Sequence, residues 1–193
     1  MVEMSAQEST EPGRREPAPG ELGLVQAFVN TVDLESGLEE FGDPDSLRRW
    51  LVAHDLIEPS SAVSDADLRL VIQVREALRA LAMANHRGES NAAPVKALNQ
   101  VADSARVVVR FQKGGRARLE PQLPGVDGVI GRILGIVYTA TVEGTWQRLK
   151  ACRRESCRWL YYDRSKNRSS SWCAMSVCGN REKAKAYRRR HSS

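Results

Sequence analysis

The spacing of four cysteines constrains this chain more than any other feature. They fall in the last 43 residues as Cys152-x4-Cys157-x15-Cys173-x4-Cys178. Two close pairs suit one tetrahedral Zn2+. Each pair offers two thiolates, and the segment between them folds the pairs together at Zn–S distances of about 2.3 Å. Two disulfides or four unrelated thiols are the alternatives. In the cytoplasm, where this chain is expected to reside, paired cysteines favour metal. Four sulfur ligands leave no position open for water, so the metal is read as structural rather than catalytic. The histidines add no ligand set: His54 and His86 lie far apart upstream, and His191 is third from the end.

The residues around the cysteines predict a small fold. Trp146 to Ala151 and Arg158 to Tyr162 read as two strands flanking a Cys152–Cys157 knuckle. Cys178-Gly179-Asn180-Arg181 then opens a helix that runs to about Arg190. Knuckle, hairpin and a ligand on a helix's first turn make a treble-clef arrangement. Four thiolates on Zn2+ carry a net −2, which Arg153, Arg154, Arg158 and Arg181 are near enough in sequence to offset. Trp159 and Trp172 are expected to pack around the metal.

Charge is divided unevenly along the chain. Residues 151–193 carry 12 Lys/Arg against 3 Asp/Glu, while the remainder carries 17 against 21. A mildly acidic body with a strongly basic tail points to a polyanionic partner, nucleic acid first. A disordered basic tail would not also gather cysteines and aromatics, so this one should fold. On the final helix, Arg181, Lys185 and Arg188 share a stripe, with Arg189 beside it; Lys183 and Arg190 form another. Ala184 and Tyr187 make an apolar stripe expected to pack on the hairpin. The loop Arg164 to Ser171 adds Arg164, Lys166 and Arg168 among small hydroxyl side chains. The candidate nucleic-acid residues are therefore Arg164, Lys166, Arg168, Asn180, Arg181, Lys185, Arg188 and Arg189. Asn180 could equally cap the helix, and the whole face could be a solvated basic surface. Duplex DNA is the favoured partner; an RNA partner remains open.

Upstream, 41% hydrophobic residues in 193 suffice for one core without disulfides. Residues 1–20 hold three prolines and four glutamates but no Leu, Ile or aromatic, and read as a disordered leader. Arg14-Arg15 is followed by Glu16-Pro17-Ala18-Pro19-Gly20, with no apolar stretch, so twin-arginine export is not expected. A first helix uses Leu22, Leu24, Val25, Phe28 and Val29 and ends near Asn30. Asp43-Pro44 starts a second helix. Ser64-Asp65-Ala66-Asp67 resembles a capping box before a long helix ending near Arg87-Gly88. A shorter helix after Asn91 uses Val95, Leu98 and Val101. Ala105 to Phe111, a Lys113-Gly114-Gly115 turn and Arg116 to Leu119 read as a hairpin. A last helix runs from about Val126 to Val142. Its apolar stretch is broken by Arg132 and two glycines, so no membrane span is expected. Gly125, Gly128 and Gly131 there suit close helix packing rather than dinucleotide binding.

The fold class is thus α+β: a mostly helical body over residues 21–145 with a small β-hairpin sheet, then a treble-clef-like four-cysteine finger over 146–193. Asn30, Thr31 and Asp33 are polar in an apolar neighbourhood. They could line a pocket for a small-molecule effector or make local turn hydrogen bonds. Signatures of catalysis are missing: the sequence has no Walker A loop, HExxH or GxSxG. A homo-oligomer would suit a palindromic operator, but nothing requires one.

The stretch Cys152 to Arg190 carries Trp159-Leu-Tyr-Tyr-Asp163, Ser165-Lys-Asn-Arg168, Trp172-Cys-Ala-Met175 and Cys178-Gly-Asn-Arg181. It resembles the CGNR zinc finger, whose name is the string at residues 178–181. Phe28-Val-Asn-Thr-Val-Asp33 and Arg75-Glu-Ala-Leu-Arg-Ala-Leu81 resemble the ABATE domain that precedes that finger. Together the two resemblances cover nearly all of residues 21–191. They imply a bacterial stress-induced transcription regulator with a zinc-bearing, DNA-binding finger. An RNA-binding or ribosome-associated protein, or an enzyme with a zinc clip, are the competing readings.

Overall fold

The computed structural model describes residues 16–86 and 92–191. The elements run α1 (Leu22–Val29), β1 (Val32–Asp33), β2 (Leu38–Glu39), α2 (Pro44–Ala53), α3 (Asp65–Ala84), α4 (Ala92–Ala105), β3 (Val107–Phe111), β4 (Ala117–Pro121) and α5 (Gly125–Val142). A 3-10 turn (Trp146–Arg148), β5 (Leu149–Ala151), β6 (Leu160–Tyr162), a π-helical turn (Met175–Gly179) and α6 (Asn180–His191) follow. The chain is a mostly helical α+β protein, and the strands among the described residues form three antiparallel hairpins.

Local chemistry sets the helix starts. The Asp43 side chain accepts from the Ser46 N–H while the Ser46 hydroxyl accepts from the Asp43 N–H, and Pro44 begins α2. Ser64 and Asp67 form the same reciprocal box at α3. On α3, Val71, Val74, Leu78 and Ala82 recur at helical spacing and are buried. They meet Val25, Phe28 and Val29 of α1 and Val129, Ile130 and Ile133 of α5 in one core. Among the described residues, α5 is the one helix long and apolar enough to cross a membrane. Here it lies in that core. Two of its glycines admit close neighbours. A Cβ on Gly128 would lie 2.2 Å from the Leu123 carbonyl oxygen, and one on Gly131 would lie 2.9 Å from Pro121 Cβ. The β3–β4 hairpin thus sits directly on α5.

Several expectations are revised. Within residues 16–20 of the expected leader, Ala18 is buried and its N–H donates to Gln26 Oε1 at 2.5 Å. Residues 1–15 lie outside the described residues, as do Arg87, Gly88 and Asn91; α3 ends at Ala84 with Asn85 as its cap. Val95 is exposed, whereas Leu98 and Val101 hold α4 to the core. Trp146 to Arg148 is a 3-10 turn instead of strand, with the Trp146 ring buried in the core. The β1–β2 hairpin, two residues per strand, lacked a sequence signal. Arg75 holds it from α3 by two 2.7 Å bonds to the Glu39 carboxylate and one of 3.2 Å to Thr31 Oγ1. Burial works against the Arg75 charge, yet Glu39 and Glu76 outweigh it and raise its pKa.

Candidate metal centre and basic surface

The metal centre begins in the body's core. Leu149, Ala151 and Leu160 of β5–β6 belong to the same buried cluster as α1, α3 and α5. Both outer edges of this two-stranded sheet are capped by body side chains. On the β6 edge, Asn30 Nδ2 donates to the Leu160 carbonyl (2.9 Å) and the Leu160 N–H donates back to Asn30 Oδ1 (2.8 Å). On the β5 edge, Asn85 Nδ2 donates to the Leu149 carbonyl (2.8 Å), and His86 Nε2 lies 2.6 Å from the Ala151 carbonyl. Arg79, buried on α3, reaches the Val29 carbonyl (2.6 Å) and the Arg158 carbonyl in the knuckle (3.1 Å).

The hairpin tip presents the first ligand pair. The Cys152 N–H donates to the Trp159 carbonyl, and the Cys157 N–H turns back onto Arg154. Arg158 takes a positive φ of 49° as the chain leaves the knuckle. Of the second pair, Cys173 precedes the π-helical turn and Cys178 lies on it, where the Cys178 and Gly179 N–H groups both donate to the Ala174 carbonyl. A Cβ on Gly179 would lie 2.2 Å from Met175 Sδ and 3.2 Å from Trp172 Cδ1, so the exposed Met175 side chain would have to move to admit one. Cys178 therefore sits in the turn that leads into α6, one step before the expected first helical turn. Trp159, Trp172 and Val177 pack around the four sulfurs.

The four Sγ atoms lie within 4.8 Å of one another. Cys157–Cys173 and Cys173–Cys178 are 3.7 and 3.6 Å apart. Tetrahedral Zn–S bonds of about 2.3 Å put sulfurs about 3.8 Å apart, whereas a disulfide needs about 2.05 Å. None of the four cysteines is joined in a disulfide, so that alternative falls. Their mutual electrostatics point the same way. Donation from Cys157 and Cys173 holds Cys152 down at about 3, and the resulting thiolate pushes Cys173 far above the usual thiol range. The donor set resists full ionisation alone, and a divalent cation removes that opposition. Cys152, Cys157, Cys173 and Cys178 fit one structural Zn2+.

The basic segment is built onto this centre. Lys150 and Asp163 form a buried ion pair at 2.7 Å. Burial pushes the Asp163 carboxyl up, but Lys150 and the Ser165 contacts outweigh it and hold its pKa below the usual range. Asp163 also accepts from the Ser165 and Ser170 N–H groups, and Lys150 Nζ donates to the Arg168 carbonyl, so the 164–171 loop is pinned from below. Arg168 (φ 50°) and Lys166 are exposed on it. Arg164 is engaged: it pairs with Glu16, donates to the Pro17 carbonyl and lies over the Tyr162 ring. On α6, Lys185, Arg188 and Arg189 are exposed, and Asn180 Nδ2 donates back to the Ser176 carbonyl. Ala184 and Tyr187 do not pack on the hairpin. No residue of α6 is buried; Tyr187 is 58% exposed and stacks on His191 instead. Arg181 pairs with Glu35 of the body, and so does Arg154.

Residues 22–134 match the ABATE family model, described as "Putative stress-induced transcription regulator", and residues 148–191 match the CGNR zinc finger. The chain belongs to the ABATE family. A comparison with curated proteins finds no match. The two matched families describe a zinc-bearing regulator, and neither is enzymatic.

In this ABATE protein, of the residues expected to line an effector pocket, Asn30 bonds across to the CGNR finger, while Thr31 and Asp33 bond within the body. Asn30 is committed to Leu160. Thr31 Oγ1 donates to the Phe28 carbonyl (2.9 Å) and accepts from Arg75. Asp33 Oδ1 accepts from the Glu35 N–H (2.9 Å), shaping the turn that carries Glu35. Sequence reading missed Glu35, Arg79, Asn85 and the role of His86. A polar residue at the end of an apolar helix was the available signal for Asn85 and His86; an acid in a four-residue turn gives none.

Proposed function

We propose that this chain is a zinc-dependent transcription regulator that grips duplex DNA with α6 and the 164–171 loop. One observation carries the reading: α6 has twelve residues, none buried, and six of them are Lys or Arg. A helix this short is marginal alone in water. Here the zinc turn anchors its foot, Glu182 sits in its first turn, and its basic residues crowd the last turn, each favourable to the helix dipole. Such a helix projects cations without using any face for packing, which suits phosphates. Lys166 and Arg168 extend the surface.

Titrating zinc-loaded protein into fluorescent random-sequence duplex DNA over a salt series tests this. Five to eight phosphate contacts give log K against log salt a slope of about −4 to −7. Reversing Lys185, Arg188 and Arg189 to Glu should flatten that slope by about 3 while the chain keeps its zinc. Equal binding by the triple variant, or none by the native chain at low salt, defeats the reading. Displacement by single-stranded RNA at lower concentration than by duplex would transfer the surface to RNA.

A further inference from the structure

We propose that Arg154 and Arg181 form a seat for a single phosphate group, and that the body's Glu35 carboxylate fills that seat as an internal substitute. Arg154 donates from one terminal nitrogen to both Glu35 oxygens at 2.9 Å, and Arg181 donates to Oε1. The two arginines come from opposite sides of the metal centre. Arg154 lies in the knuckle between Cys152 and Cys157; Arg181 is in the first turn of α6, three residues after Cys178. The zinc site therefore sets the spacing of the two guanidinium groups. Glu35 arrives from the β1–β2 turn of the body, 119 residues from Arg154 and 146 from Arg181.

Three features separate this from a plain strut. First, one carboxylate is shared by two guanidiniums, where a strut needs a single pair, and Arg154 keeps a second hydrogen bond, to the Cys178 sulfur, when Glu35 leaves. Second, it is reachable: side-chain exposure is 36% for Glu35 and 53% for Arg181, while Arg154 is held firm at 17%. Third, the seat lies at the foot of α6, continuous with the basic surface. Guanidinium groups take carboxylate and phosphate oxygens by the same forked hydrogen bonding. A phosphodiester can therefore replace Glu35 without rearranging the arginines. In this state the ABATE body holds two of the finger's cations in reserve, and nucleic acid must displace the β1–β2 turn to recruit them.

The inference rests on the nucleic-acid reading only for the macromolecular partner; inorganic phosphate tests the seat itself. The full zinc-loaded chain, labelled on arginine nitrogen, is titrated with inorganic phosphate while the Arg154 and Arg181 side-chain resonances are followed. In Glu35→Gln both resonances should move at about one-fifth of the concentration needed in the native chain, the worth of one partly screened ion pair. The same variant should bind duplex DNA about fivefold tighter, with a slope steeper by about 0.9 for the added phosphate contact. Adding Arg154→Gln should abolish both gains. Identical phosphate titrations for the native chain and Glu35→Gln overturn the proposal, as does a gain that survives Arg154→Gln. If phosphate seats as expected but no form binds duplex, the seat stands and the DNA reading falls. Should Glu35→Gln lose its zinc, Glu35→Asp carries the test, with a smaller gain of the same sign expected and its absence overturning the proposal.

Discussion

Asn30 joins body and finger with one amide. Its side chain satisfies both the N–H and the C=O of Leu160, and all of these groups are buried. Truncation leaves the Leu160 N–H unsatisfied and its C=O with only the longer 3.3 Å bond from Gln26 Nε2, at about 1–3 kcal/mol for a group left unsatisfied. Asn30→Ala should lower unfolding free energy by about 2–3 kcal/mol, read from a urea midpoint at unchanged slope. A loss under about 0.5 kcal/mol, the size of an ordinary surface substitution, would mean water replaces the amide and the junction lies elsewhere. The residue was visible in the sequence as a polar break in an apolar run, but its meaning was not. Its partner lies 130 positions away. The caps at Asp43 and Ser64 were legible because each bonds three residues ahead. The cysteines were legible despite their separation, because thiolate chemistry limits what four such residues can do together.

At the scale of elements, α5 and α3 each carry a sharp prediction. Gly128 and Gly135 look alike in sequence and differ in space. A Cβ at 128 meets a backbone carbonyl at 2.2 Å; one at 135 meets Leu119 Cβ at an ordinary 3.4 Å. Gly128→Ala should therefore cost about 1–3 kcal/mol through overpacking, whereas Gly135→Ala should gain up to about 1 kcal/mol of helix propensity. Thermal melts of the two variants read this directly, and shifts of the same sign would refute it.

The end of α3 adds a pH dependence. Burial holds the His86 imidazole below its usual 6.5, Lys150 and Arg153 push the same way, and the Ala151 hydrogen bond opposes them. The unfolded chain then takes up the proton first, so stability falls as pH drops below 6.5 until folded His86 itself protonates. His86→Gln, which can still donate to Ala151, should flatten the stability profile between about pH 7 and 5.5. An unchanged slope would remove His86 as its source. Elements themselves were legible in proportion to length: α2, α3 and α5 carry several turns of periodic signal, while β1–β2 has two residues per strand and is tied to α3 by Arg75. The apolar pair on α6 misled because spacing alone cannot tell whether a surface lies opposite.

Across the whole molecule, the zinc ligands belong to two neighbourhoods of unequal support. Cys152 and Cys157 stand on a hairpin whose Leu149, Ala151 and Leu160 lie in the main core and whose edges are capped by Asn30, Asn85 and His86. Cys173 and Cys178 stand on a segment whose apolar packing, among the described residues, is the small cluster around the metal, and the α6 that follows has no buried residue and is tied to the body by the Arg181–Glu35 pair. Structural zinc is worth on the order of 10 kcal/mol, but that energy is not spread evenly. Removing it should release the weakly packed half and spare the hairpin. Hydrogen exchange on chelated protein, or on Cys178→Ser, should show protection lost over about residues 172–191 and retained in β5, β6 and α3. Duplex binding should vanish together with that protection, because α6 loses its anchor while its charges remain. Collapse of protection throughout the chain would make the metal the keystone of the body as well. Protection persisting in α6 without zinc would mean that the helix stands on contacts other than the metal turn.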